Sequence, residues 1–140
     1  LEGITLLAST RLCPNVPAQH AIQAALGGHQ TIDDLVAPGG RLLEQRDAAV
    51  QGFRSIPGVS CVVPKGALYV FPRLDPEVHE IHDDAQLVLD LLLQEKILVV
   101  QGTGFNWPDT DHLRIVTLPW ARDLVVAIER IGNFLASYRQ

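Results

Sequence analysis

The chain has 140 residues, of which 47% are hydrophobic, and its formal net charge is -5. A chain of this length buries roughly 68 to 70% of the surface that its unfolded form exposes, so we expect one domain with a real core. Its Lys and Arg residues are scattered, which argues against nucleic acid as a partner. Its apolar runs are far shorter than the roughly 20 residues that cross a bilayer, which argues against a membrane. We therefore predict a soluble, cytoplasmic protein.

Two helices are predicted in the first half of the chain. The segment Pro17 to Leu26 has alanines and apolar residues at helical spacing, carries proline in its first turn and ends at Gly27-Gly28. A second, longer helix follows the break at Pro38-Gly39-Gly40 and stops at Pro57-Gly58. Its apolar positions keep the helical period at Leu42, Leu43, Ala49, Val50, Phe53 and Ile56.

From Val59 onward the pattern becomes that of β-strands. The segments Val59 to Val63 and Ala67 to Phe71 are rich in β-branched and aromatic residues, and Pro64-Lys65-Gly66 separates them. We predict a hairpin or a closely linked pair of strands here.

The second half of the chain alternates helices and strands. A helix is predicted over roughly His82 to Glu95, a short strand over Ile97 to Val100, and another strand over His112 to Leu118. A closing helix has Leu124, Ile128, Ile131, Leu135 and Tyr138 on one face. The order α-α-β-β-α-β-β-α predicts an α/β (α+β) two-layer fold, with helices packed on a small mixed or antiparallel sheet.

Two polar stretches superficially resemble binding sites. The segment His79 to Asp84 gathers imidazoles and carboxylates, but it lacks a pair of histidines four apart on one helix and spans a helix start, so we expect solvated capping residues and no metal. Gly102-Thr103-Gly104 follows a strand as a phosphate loop does, yet the next element is a strand and not a helix. These glycines are expected to let the backbone turn tightly and approach a neighbouring group closely.

Other candidate groups have simpler interpretations. No serine lies in a nucleophile elbow, and neither cysteine has the neighbours of a nucleophile. Cys13 and Cys61 lie in apolar surroundings, which favours buried thiols over a disulfide. Lys65, in a turn, and Lys96, at a helix end, are expected to be surface charges.

Arg114 is the unusual residue, because it interrupts the predicted strand HLRIVTLP. If the strand alternates, Arg114 shares one face with His112, Val116 and Leu118, and Leu113, Ile115 and Thr117 share the other. One interpretation is an edge-strand arginine that reaches water, or one that pairs with a structural carboxylate. The other is a carboxylate receptor, since a guanidinium offers two parallel donors that match two carboxylate oxygens.

The order of several motifs favours the receptor. NVPAQHAIQAAL, the PGG break with its long helix, IPGVSCVVPKGALYVFPRL, ILVVQGTGFN and HLRIVTLP, followed by an amphipathic helix, together resemble the C-terminal portion of class I/II pyridoxal-phosphate aminotransferases, with the bacterial alanine aminotransferases most similar. The resemblance covers roughly residues 5 to 138. It implies that residues 1–140 are the C-terminal small domain, with 1–38 as a linking helix region and 39–140 as a sheet-and-helix core.

The resemblance also implies roles for individual residues. Arg114 occupies the position that binds the α-carboxylate of the substrate. The segment Val99 to Phe105 looks like the family's V-x-P-G-x-x-F loop near the substrate mouth, with Gln101 in place of proline. Lys65 to Tyr69 resembles a strand whose residues pack beside the pocket. The implied pocket or closing-loop residues are Leu68, Tyr69, Gly102, Thr103 and Phe105.

The resemblance further implies an enzyme that needs pyridoxal 5'-phosphate, acts on a small amino acid such as alanine and a 2-oxo acid, and forms a homodimer. The family's Schiff-base lysine and its other cofactor-binding residues lie upstream of the matching segment, and neither Lys65 nor Lys96 is at the Schiff-base position. We therefore expect no catalytic and no cofactor-binding residue in this chain, and neither bound cofactor nor activity for the chain alone. The chain contains no methionine and opens in the middle of a pattern, so we expect it to be a piece of a longer protein.

Two alternatives remain open from the sequence. The stretch from Val59 onward also suits a ferredoxin-like, non-catalytic module that binds or senses a small acid. A purely structural domain, in which a protein carboxylate neutralises Arg114, is the other.

Overall fold

The structure is a computed structural model, and it describes residues 1–11 and 13–140. The chain divides into two compact units, Leu1–Asp34 and Leu35–Gln140. The first unit contains helices α1 (Glu2–Thr10) and α2 (Val16–Gly27) and the start of α3 (Thr31–Val36), within which the division falls.

Helix α2 confirms the first predicted helix. Asn15 caps it, because its Oδ1 accepts a hydrogen bond from the backbone N–H of Ala18 at 3.0 Å. Helix α1 was not predicted. Its large apolar residues are all at least 71% exposed, so they form no stripe against a core within their own unit and leave no clear helical pattern. Cys13 follows α1 and is exposed, so the prediction of a buried thiol is wrong there.

The second unit has helices α4 (Arg41–Arg54), α5 (Asp84–Glu95) and α6 (Ala121–Ser137). These confirm the three remaining predicted helices to within a few residues. Helix α5 begins where the side chain of Asp83 accepts a hydrogen bond from the backbone N–H of Gln86, and it ends at Lys96 in the left-handed conformation.

The strands of this unit are short: β1 (Val59–Ser60), β2 (Tyr69–Val70), β3 (Arg73–Leu74), β4 (Val100–Gln101) and β5 (Leu113–Val116). Strand β1 pairs antiparallel with β3, and β5 lies between β2 and β4 in a three-stranded antiparallel sheet. A 3₁₀ helix, Gly102–Phe105, follows β4 directly. Helices packed on small antiparallel sheets are the α/β two-layer class that the sequence predicts.

Of the two arrangements predicted for the first two strands, a hairpin or a closely linked pair, the hairpin is wrong, because β1 and β2 do not pair with each other. Val70 lies opposite Ile115 of β5, and both side chains are buried. Two-residue strands gain little from a local turn, so the pairing that buries apolar side chains across the sheet determines the topology.

One core joins these elements. Helix α4 packs against α6, β1 and β2, and α5 packs against α6 and β4. Each helix contributes one apolar face, in agreement with the predicted face of α6. The most deeply buried apolar side chains are Ala49, Phe53, Val70, Leu74, Leu87, Leu91, Leu113, Ile128, Ile131 and Leu135. Within the described residues, no helix is both long and apolar enough to span a membrane.

Candidate carboxylate-binding site

Arg114 lies on the central strand of the three-stranded sheet. Its register partner on β4 is Val100, and on the other side Val116 of the same strand face lies opposite Tyr69 of β2. Leu113 and Ile115 are buried on the core face, whereas Arg114 is half-buried on the opposite face. The predicted alternation is therefore confirmed. The edge-strand interpretation is wrong, since strands flank β5 on both sides.

Two aromatic rings flank the guanidinium of Arg114. Its Cζ lies 4.8 Å from the centroid of the Tyr69 ring and 4.3 Å from that of Phe105. A cation over a ring face at this distance gains roughly 0.5 to 2 kcal/mol, depending on how far it is desolvated. The residues Tyr69 and Phe105 are themselves 42% and 46% exposed, so the sheet face that carries Arg114 is open to solvent.

No acidic side chain of residues 1–11 or 13–140 forms an ion pair with Arg114, although other arginines of the same unit, such as Arg73 and Arg130, do have carboxylate partners. Its Nε is buried without a hydrogen-bond partner among these residues. The two rings neutralise no charge. The described structure thus contains a half-buried cation whose planar donor set can serve a ligand with two anionic oxygens.

The 3₁₀ helix brings Phe105 to this position. Gly102 donates its backbone N–H to the carbonyl oxygen of His112 on the neighbouring β5 segment at 2.8 Å. A Cβ at Gly102 would lie only 2.8 Å from that oxygen, so the expected close approach of the glycine backbone is confirmed here. Gly104 has only ordinary contacts for an added Cβ, at 3.6 Å or more.

The structure brings together some of the predicted pocket residues and not others. Arg114, Tyr69 and Phe105 meet directly, and Gly102 and Thr103 lie in the 3₁₀ helix that carries Phe105. Leu68 instead supports the sheet, because its carbonyl oxygen accepts a hydrogen bond from the backbone N–H of Thr117 at 2.9 Å.

A polar and aromatic cluster beside the site was missed at the sequence level. The carboxylate of Asp111 accepts hydrogen bonds from Arg73 Nε at 2.7 Å and Trp107 Nε1 at 3.0 Å, and it contacts His112 Nδ1 at 2.6 Å. The His112 ring stacks on Phe71 at 4.7 Å and tilts against Trp107 at 4.4 Å. The signal was the short run WPDTDH, in which an aromatic, two acids and a histidine precede β5.

The pKa of Asp111 reflects these contacts. Burial by itself raises the pKa of this carboxyl, but the hydrogen bonds from His112, Arg73 and Trp107 outweigh burial and hold the pKa below its ordinary value. Asp111 is therefore an ionised hub that joins Arg73 of β3, Trp107, two residues beyond the 3₁₀ helix, and His112, which directly precedes β5.

Asp84 is the second residue whose role was missed. The sequence predicts only solvated capping residues over His79 to Asp84, and Asp83 does cap α5. Asp84 is instead 3% exposed, and its two carboxylate oxygens accept hydrogen bonds from Thr103 N at 3.0 Å and Thr103 Oγ1 at 2.7 Å. His79 is also buried, with Nε2 at 2.9 Å from the carbonyl oxygen of Pro57.

The residues present do not form a pyridoxal-phosphate site. Of the two lysines, Lys65 is exposed in the turn before β2, and Lys96 is exposed at the end of α5, where its Nζ donates to the carbonyl oxygen of Leu93. Within residues 1–11 and 13–140, neither lysine shares a hydrogen bond with Arg114, Tyr69 or Phe105. Over the described ranges, no group of three or more His, Cys, Asp or Glu residues is placed to hold a metal ion.

Comparisons with known proteins identify relatives that match nearly the whole chain. The chain is 77% identical over all of its 140 residues to an alanine aminotransferase of Mycobacterium tuberculosis, and 58% identical to the glutamate-pyruvate aminotransferase AlaA of Escherichia coli. A crystal structure of an aminotransferase from Escherichia coli matches 99% of the chain with a TM-score of 0.89 at 58% identity, and an alanine aminotransferase from Pyrococcus furiosus matches 98% with a TM-score of 0.81 at 37% identity.

The chain spans about a third of these relatives, between 33% and 35% of their length. The family model described as aminotransferase class I and II matches residues 2–131, which is nearly the whole chain. A match of this extent establishes that the chain belongs to the class I and II aminotransferase family.

Proposed function

We propose that Arg114 binds the α-carboxylate of an amino-acid or 2-oxo-acid substrate, and that the chain is the C-terminal small-domain part of an aminotransferase. The observation that carries the proposal is a half-buried guanidinium flanked by Tyr69 and Phe105 and without a carboxylate partner among the residues described. Residues 1–38 are then the linking helix region and 39–140 the sheet-and-helix core.

The substrates proposed are alanine or another small amino acid and a 2-oxo acid. The support is the identity to relatives named alanine aminotransferase and glutamate-pyruvate aminotransferase. The family implies a pyridoxal-phosphate-dependent reaction. Because the residues of this chain do not fit that cofactor, we propose that residues outside the chain bind it, in a cytoplasmic, homodimeric enzyme.

The contribution of this chain is binding and orientation. Contacts with the Tyr69 and Phe105 rings restrict the motion of the guanidinium, and its two parallel N–H donors match both oxygens of a carboxylate. Fixing a substrate in this way lowers the entropy cost of reaching the reactive geometry. Tyr69 and Phe105 are each less than half exposed, so they shield part of the guanidinium from water and strengthen its interaction with an anion.

A binding measurement tests this role directly. We expect pyruvate to shift the Arg114 Nε–H signal in NMR spectra of the full-length protein that contains this chain, and pyruvamide, which lacks the carboxylate, to have no such effect. Arg114→Lys is expected to weaken pyruvate binding by at least about tenfold, because lysine cannot form the two-pronged contact. Arg122→Lys is the matched control, since the side chain of Arg122 is 83% exposed on α6. Pyruvate binding by Arg114→Lys at the wild-type affinity would remove Arg114 from the carboxylate site.

The non-catalytic ferredoxin-like module is not supported. The sheet and helices from Val59 onward are compatible with such a module. The family match, however, extends over residues 2–131 and includes the helices before Val59, which such a module does not need.

A further inference from the structure

The 3₁₀ helix Gly102–Phe105 carries Phe105, so its position determines whether the Phe105 ring contacts the guanidinium of Arg114. A helix of four residues has few hydrogen bonds of its own and does not fix its position by itself. The placement of Phe105 must therefore come from contacts with the rest of the fold.

One buried carboxylate holds the start of this helix. Asp84, in the first turn of α5, accepts the backbone N–H of Thr103 on one oxygen and the Thr103 hydroxyl on the other, at 3.0 and 2.7 Å. At 3% exposure, a carboxylate is costly to bury unless hydrogen bonds satisfy its oxygens. Both oxygens are satisfied here by one residue, which fixes the orientation of the turn and not only its distance from α5.

Contacts at both ends of the 3₁₀ helix also restrict its position. Gly102 is bonded to the carbonyl oxygen of His112 at one end, and Trp107 donates its ring N–H to Asp111 just beyond the other. Phe105 lies between these attachments. Because the segment is held at both ends and at Thr103, Phe105 has little freedom to move away from the Arg114 guanidinium.

We propose that Asp84 is a positioning residue of the carboxylate site: through Thr103 it holds the 3₁₀ helix so that Phe105 covers Arg114. The inference rests on the proposed function of Arg114. Asp84 itself touches neither Arg114 nor Phe105 in its hydrogen bonding, so its effect on binding is indirect and passes through the Thr103 hydroxyl.

The test compares two substitutions of Thr103 that differ in one group. Thr103→Val keeps the shape and loses the hydroxyl, and Thr103→Ser keeps the hydroxyl. We expect Thr103→Val to weaken pyruvate binding, measured on the Arg114 Nε–H NMR signal, by about tenfold, and Thr103→Ser to bind as the wild type. The nuclear Overhauser contact between the Phe105 ring and the Arg114 δ protons should be lost in the first variant and kept in the second.

Asp84→Asn is expected to follow Thr103→Val, and if this variant does not fold, the two Thr103 variants decide alone. Equal pyruvate affinity in Thr103→Val, Thr103→Ser and the wild type would overturn the positioning role, even if Thr103→Val unfolds at a lower temperature. Arg114→Lys is measured beside them. Wild-type binding in that variant refutes the proposed carboxylate site, whereas weak binding there with full binding in Thr103→Val refutes only the role of Asp84.

Discussion

Asp111→Asn tests whether the charge of the hub beside the site stabilises the fold. Asparagine has one oxygen and one amide nitrogen in place of two oxygens. Whichever way it is oriented, its N–H₂ group faces at least one of the donors Arg73 Nε, Trp107 Nε1 and His112 Nδ1, so at least one hydrogen bond is replaced by a donor facing a donor.

The size of the effect follows from the exposure of the partners. A hydrogen bond to a charged group contributes about 1.5 to 3 kcal/mol. The Arg73 side chain is 50% exposed, so its contact with Asp111 is worth at most about 1 kcal/mol. The inner contacts, to Trp107 and His112, lose roughly half of their strength when the acceptor loses its charge. We therefore expect a loss of about 2 kcal/mol in the free energy of unfolding at neutral pH.

The charge of Asp111 makes the free energy of unfolding depend on pH. The pKa of Asp111 is lower in the folded chain than its ordinary value of about 3.9, so the unfolded chain takes up the proton first as the pH falls. The stabilisation is then present in full above about pH 5 and is lost as the pH falls through the folded-state pKa. The difference between wild type and Asp111→Asn should therefore shrink between about pH 5 and pH 3.

Urea denaturation at a series of pH values measures this difference, and at neutral pH the midpoint should fall by about 1 M. Asp109→Asn is the matched control, because Asp109 is an exposed carboxylate two residues away and its removal should change stability by less than about 0.5 kcal/mol. A loss in Asp111→Asn that stays constant down to pH 3 would refute the charge argument, and equal stability of the two variants would refute the hub itself.

Two further outcomes can be measured on the same chain. Gly58→Ala should lower the free energy of unfolding, measured by urea denaturation, by at least about 1 to 2 kcal/mol. Gly58 has a φ of +73°, and an added Cβ would lie 2.6 Å from the Val78 side chain. Gly66→Ala, whose added Cβ meets nothing within 4 Å, should leave the free energy of unfolding unchanged. Cys13 should react rapidly with a thiol reagent at pH 8 and Cys61 only on unfolding, because burial raises the pKa of the Cys61 thiol; equal rates in the folded chain would contradict this.

The helices could be predicted because their signals are local. Proline and glycine mark the ends of α2 and α4, and an apolar stripe marks α6. The strand pairing could not be predicted in this way. A strand such as β2 has two residues, and its partner β5 lies more than forty residues along the chain, so nothing near β2 specifies the register.

The candidate site was likewise predictable only in part. Arg114 was identifiable as an unusual cation in a strand, and the resemblance to a family indicated Tyr69 and Phe105. The roles of Asp84 and Asp111 were not predictable, because an acidic residue in a polar stretch has the same sequence signal whether water or a buried donor binds it. Only the contacts to Thr103 and to Trp107 and His112 distinguish the two cases.

Arg73 and Arg114 lie in neighbouring strand segments, and comparing them shows why a ligand is proposed for the second one. Arg73 reaches a carboxylate of its own unit, Asp111, at 2.7 Å, so its charge is already balanced and its contact stabilises the fold. Arg114 has two rings where Arg73 has an acid, and the rings hold a cation in place without neutralising it. A half-buried guanidinium in this state gains most from an anion that arrives from solvent, and its planar donor set favours a carboxylate bound through both oxygens. An acid introduced beside Arg114 would pair with the guanidinium and compete with the proposed substrate carboxylate, whereas aromatic neighbours hold the arginine without such competition.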